Sequence, residues 1–240
     1  MTIIHLKINV RYEQQETITA NTALMDLFHI TRQIDVFFNL KKTWYLTGYS
    51  RKEALKHIVF DEQGPTAVAI KDFEKDYKKD FPALITGIWD GEKDGLDNGI
   101  MYKKMRTATP NWVWLEINLS VDSYQLDVIR LIDLVKYLAT SRDFPYIQVE
   151  TNGYTLKGRQ VFPDRLSIGW MLYQPRIIDK SYLPMAEEVL HVYQHDQQIG
   201  TLIVTKKGIF DGRNQDDIDK SNDVEIQLVN LGLLPLITEV

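Results

Sequence analysis

His191 and His195, four residues apart with Asp196 beside them, come nearer to a metal site than any other spacing in the chain. On a helix such a pair can share a zinc ion. On a strand the two lie on one face but about 13 Å apart along the axis. Val189, Val192 and Tyr193 favour the strand, and no His-Glu-x-x-His pattern exists. His191, His195 and Asp196 define the alternative functional reading, a metal-dependent hydrolase. His5, His29 and His57 fall in strand or helix patterns and form no triad arrangement with a serine or aspartate. Glu150 and Asp164, with Lys157 between them, echo the carboxylates and lysine of magnesium phosphodiesterases. The strand-coupled Asp…Glu-x-Lys spacing is missing, and solvated loop charges account for these residues. Gly87, Gly91 and Gly95 follow a strand, but the residues between them include acids that would repel a phosphate.

The 240 residues include no cysteine, which removes thiolate nucleophiles, disulfides and cysteine-held metal sites together. Hydrophobic residues make up 44% and charged residues 25%, and the net charge is −5. These are globular values, and the acidic balance argues against a phosphate-tracking nucleic-acid binder. No apolar run approaches the ~20 residues that span a bilayer. The expectation is a cytoplasmic protein without cofactor, resident metal or catalytic residue.

What the chain does carry is unbalanced acid. Asp90, Glu92, Asp94 and Asp97 are opposed only by Lys93. In the tail, Asp211, Asp216, Asp217, Asp219, Asp223 and Glu225 face Arg213 and Lys220. Trp112 and Trp114 share one strand face and suit a protein-binding anchor if that face is exposed. A basic protein partner fits these features, with Asp90, Glu92, Asp94, Asp97, Asp211, Asp216, Asp217, Trp112 and Trp114 as the candidate contact residues. Trp44 and Trp170 are read as core.

The elements that must position these residues follow from periodicity. Alternation predicts a strand over 3–12, and apolar spacing from Leu24 to Phe38 predicts a helix over 20–38. A short strand over 43–47 precedes a capping box, Ser50 to Glu53, opening a helix through His57. Pro65 begins a charge-mixed helix to about Lys79. Strands are predicted over 83–89, 99–107 and 112–119, the last two as a hairpin, with a loop at 90–95. Asp122 to Gln125 reads as a second box, starting a helix to Thr140 that buries Leu126, Ile129, Ile132, Leu134, Val135 and Leu138. Strands over 146–151, 166–173, 188–194 and 199–205 follow, the last two joined by a turn at 195–198. Asn214 caps a solvated tail helix whose stripe is Ile218, Glu225, Leu228 and Leu231, stopped by Gly232 and Pro235. The fold class is α+β, largely antiparallel sheet flanked by helices. One unit over 1–240 is expected, with 141–145 as the place where two sheet-rich halves would meet.

Three stretches together resemble a known family. Trp44-Tyr45-Leu46-Thr47-Gly48-Tyr49-Ser50 with Glu53-Ala54 is similar to the early signature of bacterial immunity protein family 52. Phe162-Pro163-Asp164-Arg165, then Gly169-Trp170-Met171-Leu172-Tyr173 and Pro175, resemble its centre. Ile209-Phe210-Asp211, Asn222, Glu225-Ile226, Leu228 and Gly232-Leu233-Leu234-Pro235 resemble its tail. The resemblance implies an antidote, acting by binding, to a polymorphic toxin of the kind bacteria inject into neighbours. It implies a restriction-endonuclease-like nuclease as the partner. No functional residue carries over, because the matched Trp, Gly and Pro positions read as fold determinants.

Overall fold

The computed structural model describes residues 2–14, 19–76, 83–105 and 112–240. The architecture is α+β, and its strand pairings are antiparallel. The chain divides into two units, one of residues 1–13 with 121–240 and one of residues 14–120. The 141–145 segment lies inside the first.

In the first unit, β1 (Ile3–Glu13) pairs with β6 (Tyr146–Thr151), β6 with β7 (Met171–Gln174), β7 with β9 (Gln197–Val204), and β9 with β8 (Glu188–Gln194). The alternation of β1 is realised: Ile4, Leu6, Ile8, Val10 and Tyr12 are buried. β7 starts later than its apolar run suggested. Gly169 takes φ +58 and a Cβ there would sit 2.7 Å from the Val149 carbonyl oxygen, so the chain bends before Trp170. The turn between β8 and β9 contracts to His195 and Asp196, with φ of 48° and 64°, and Gln194 pairs with Gln197. Two consecutive positive φ angles match the twist of a two-residue hairpin.

Helix α4 (Val128–Thr140) begins later than the box at Asp122 predicted. Asp122 closes a turn, accepting from the Tyr124 amide, and Asp127 is the cap, accepting from Ile129 and Arg130. Ile129 falls on the outer face, 71% exposed, contrary to the expected burial. Helix α5 (Gln215–Asn230) is capped by Asn214, whose side chain accepts from the Asp217 amide. Val224 and Leu228 enter a core with Leu166, Ile168, Leu172, Ile178, Leu183 and Ile203. Leu231, the expected end of the stripe, is instead the exposed C-cap.

In the second unit, α1 (Ala20–Phe38) has the predicted bounds, with a Thr19–Thr22 capping box and Asn39 in the left-handed conformation after its last turn. It packs on α3 (Ala67–Asp76). The strands run in the order β2 (Tyr45–Leu46), β3 (Ala83–Trp89), β4 (Gly99–Met105), β5 (Trp112–Asp122). Helix α2 is one turn, Arg51–Ala54, and does not reach His57. Ser50 accepts from the Glu53 amide as expected. The chain then leaves the helix because the His57 carbonyl accepts from Leu46 and the Val59 amide donates to Trp44. Helix α3 begins at Ala67, two residues after the expected Pro65, with the Thr66 hydroxyl accepting from the Ala69 amide. The expected ends of α3 near Lys79 and of β4 at Thr107 lie outside the described residues.

Candidate functional site

The acidic tail is not uniformly solvated, and its helix sorts its carboxylates by face. Glu225 is fully buried: Oε1 accepts from the Ile168 amide at 3.0 Å and the Tyr154 hydroxyl at 3.1 Å, and Oε2 accepts from the Val161 amide at 2.8 Å. Burial pushes the Glu225 carboxyl above the usual range, against the pull of the Ile168 and Val161 amides and Tyr154. Burial, reinforced by the Glu225 charge, likewise pushes the Tyr154 phenol up. Tyr154 also lies 3.0 Å from Ser221 Oγ and 3.0 Å from Asn222 Oδ1. Its single proton serves one acceptor at a time.

Asp217 is the second buried acid of α5. Its carboxylate takes Lys206 Nζ at 2.7 and 2.8 Å and the Asp211 amide at 2.8 Å. Asp211 is half-buried; burial alone would raise its pKa, but bonds from Arg213 and Asn152 hold it below the ordinary value. Asp217 therefore leaves the set of contact residues, and Asp211 is largely engaged within the fold. The remaining acids, Asp216, Asp219 and Asp223, are exposed and spaced i, i+3, i+7, which puts them on one stripe.

The loop 90–98 of the second unit is sorted in the same way. Asp90, expected as exposed anionic surface, is buried. It accepts from Lys42 Nζ at 2.8 Å, from the Asn98 amide at 3.0 Å, from the Asn98 side chain and from the Glu92 amide at 3.3 Å. Asn98 in turn accepts from the Ser120 amide at 2.9 Å. Glu92, Asp94 and Asp97 are exposed. Trp114 is 36% exposed on β5 and Trp112, on the same face, is half-buried, while Trp44 and Trp170 are core.

His191 is exposed on β8, and His195 and Asp196 form the hairpin turn. Among the described residues no group of three or more His, Asp or Glu side chains is arranged to hold a metal ion. Glu150 is buried and accepts from the Thr155 amide and hydroxyl and from Gln148, so it does not face Asp164 as a paired carboxylate. Among the described residues no helix is long and apolar enough to cross a membrane. The anchoring partners Tyr154, Lys206, Lys42 and Asn98 were not singled out by sequence. A glutamate at a stripe position of α5 was the available signal for the first.

No protein-family model and no curated protein matches the chain. Among solved structures, it is similar to Pseudomonas aeruginosa T6SS protein PA0821. The TM-score is 0.48 at 10% identity, over 84% of this chain and 68% of that one.

Proposed function

We propose that this chain is a cytoplasmic immunity protein that binds and neutralises a secreted toxin of nuclease type, covering its active-site cleft. The observation that carries the reading is the division among the carboxylates of α5. Asp217 and Glu225 fix the helix internally, and Asp216, Asp219 and Asp223 face solvent. A nuclease must present positive charge to phosphates, so an anionic face held on a pre-ordered frame suits it. Complementary charge of this kind raises the association rate and suppresses wrong partners.

The resemblance to immunity protein family 52 supports the reading from a different side. Protection of a cell calls for a dissociation constant on the order of nanomolar or below, about −12 kcal/mol. Such a protein works by occupying a surface and needs no catalytic group or cofactor of its own. The test is co-expression of the reading frame adjacent to this gene with and without this chain. Survival restored by the chain, with a complex that co-purifies, supports the proposal. A neighbour that is harmless alone, with no complex, overturns it.

A further inference from the structure

Among the described residues, one face of the β3–β4–β5 sheet carries exposed apolar side chains. The register aligns Ile85 with Lys103 and Trp114, Gly87 with Met101 and Glu116, and Trp89 with Gly99 and Asn118. Strand side chains alternate, so these nine residues share one face. On the opposite face Ile88, Ile100, Tyr102, Val113, Leu115 and Ile117 are buried. Ile85 is 60% exposed, and Met101 and Trp114 are each 36% exposed. A sheet face directed at solvent is ordinarily polar. Here its middle holds an isoleucine, a methionine and a tryptophan around Gly87, which adds no side chain of its own.

The tryptophan is held in place. Lys103 Nζ lies 5.0 Å from the Trp114 ring centroid and 3.4 Å from Glu116 Oε2. A side chain already ordered loses less entropy on binding, and Trp and Met are enriched at interface centres. Charge identifies the kind of occupant. Residues 90–98 join β3 to β4 and so lie at the Trp89–Gly99 end of this face. Glu92, Asp94 and Asp97 are exposed there beside Lys93 and Arg51, whose guanidinium donates to the Gly91 carbonyl at 2.8 Å, and Glu116 is paired with Lys103. Asp90 and Asn98, buried together, fix the base of that loop.

We propose that this face is the docking surface for the toxin, by way of a toxin patch with an apolar centre ringed by Lys and Arg. The inference rests on the antidote reading and assigns it a surface. Ile85, Met101 and Trp114 hold the complex together, and the acidic loop steers its formation. Truncating a central aromatic anchor acts mainly on dissociation, and removing rim charge acts mainly on association.

The test is titration of the product of the adjacent reading frame against the full chain. The variants are Trp114→Ala, Met101→Asp and Ile85→Asp, with the loop variant Glu92→Gln/Asp94→Asn alongside, each checked for an unchanged melting profile. The expected result is an affinity loss of about 30-fold or more for Trp114→Ala, carried by faster dissociation. The loop variant slows association several-fold and leaves dissociation unchanged. A tight complex that the three face variants leave intact overturns this inference and spares the antidote reading. No complex with the unaltered chain overturns both. A homodimer of the chain that Trp114→Ala dissociates identifies the occupant as a second copy and overturns the proposed partner.

Discussion

Tyr154 Oη and Glu225 Oε1 lie 3.1 Å apart, joining the segment after β6 to helix α5. Both side chains are fully buried. Removing the hydroxyl by Tyr154→Phe leaves Ser221, Asn222 and Glu225 with one donor fewer in a dry site. The expected loss is about 1–3 kcal/mol of folding stability, read from urea denaturation. Glu225→Gln costs a similar amount, because one of its positions turns from acceptor to donor opposite an N–H.

The same carboxyl gives a pH signature. Burial raises its folded pKa above the ordinary glutamate value, so the folded state holds this proton where the unfolded chain has lost it. The stability it contributes is therefore full below about pH 4.5 and falls as pH rises through the raised folded value. Asp211, held below 3.8, acts oppositely: its contribution is present above that value and is lost as pH falls through the folded one. Stability curves from pH 4 to 8 for Glu225→Gln are expected to lose the decline that the native chain shows, and those for Asp211→Asn to keep it.

Lys206 and Asp217 form a pair with very unequal exposure, 30% and 5% of the side chains. Lys206→Met strands a buried carboxylate that also accepts from the Asp211 amide, and the expected cost is about 3 kcal/mol. The double variant Lys206→Met/Asp217→Asn recovers part of that loss. A thermodynamic cycle of the four proteins checks it, and strict additivity would contradict the pairing.

Asp90 and its loop neighbours separate structural from surface acid. Asp90→Ala removes the acceptor for Lys42, Asn98 and the Glu92 amide, and is expected to cost about 2–3 kcal/mol and loosen amide protection at Asn98. Glu92→Ala and Asp94→Ala are expected to stay within about 0.5 kcal/mol of the native chain. Hydrogen exchange with thermal melting reads both.

Local periodicity explains why β1 and α1 were legible: the alternation from Ile4 to Tyr12 and the spacing from Leu24 to Phe37 each bury one face whatever they pack against. Boundaries failed where a distant partner decided them. Helix α2 ends early because residues 57–59 are drawn into pairing with Trp44 and Leu46. The run from Leu166 bends at Gly169, and beside the bend Ile168 gives its amide to Glu225, fifty-seven residues later. The candidate contact residues divide for the same reason. Asp90 looks like any loop acid until Lys42, forty-eight residues earlier, closes on it. Asp217 looks like a first-turn helix acid until Lys206 does the same. The Trp112–Trp114 face was readable as a face, but its exposure follows from which side of the sheet the rest of the unit covers.

Neutralisation is read from the nuclease activity of the purified neighbouring gene product at fixed, submicromolar concentration, measured against increasing amounts of this chain. A linear fall in activity that reaches zero at one chain per toxin is the expected result. Undiminished cleavage at a several-fold excess of the chain would contradict it.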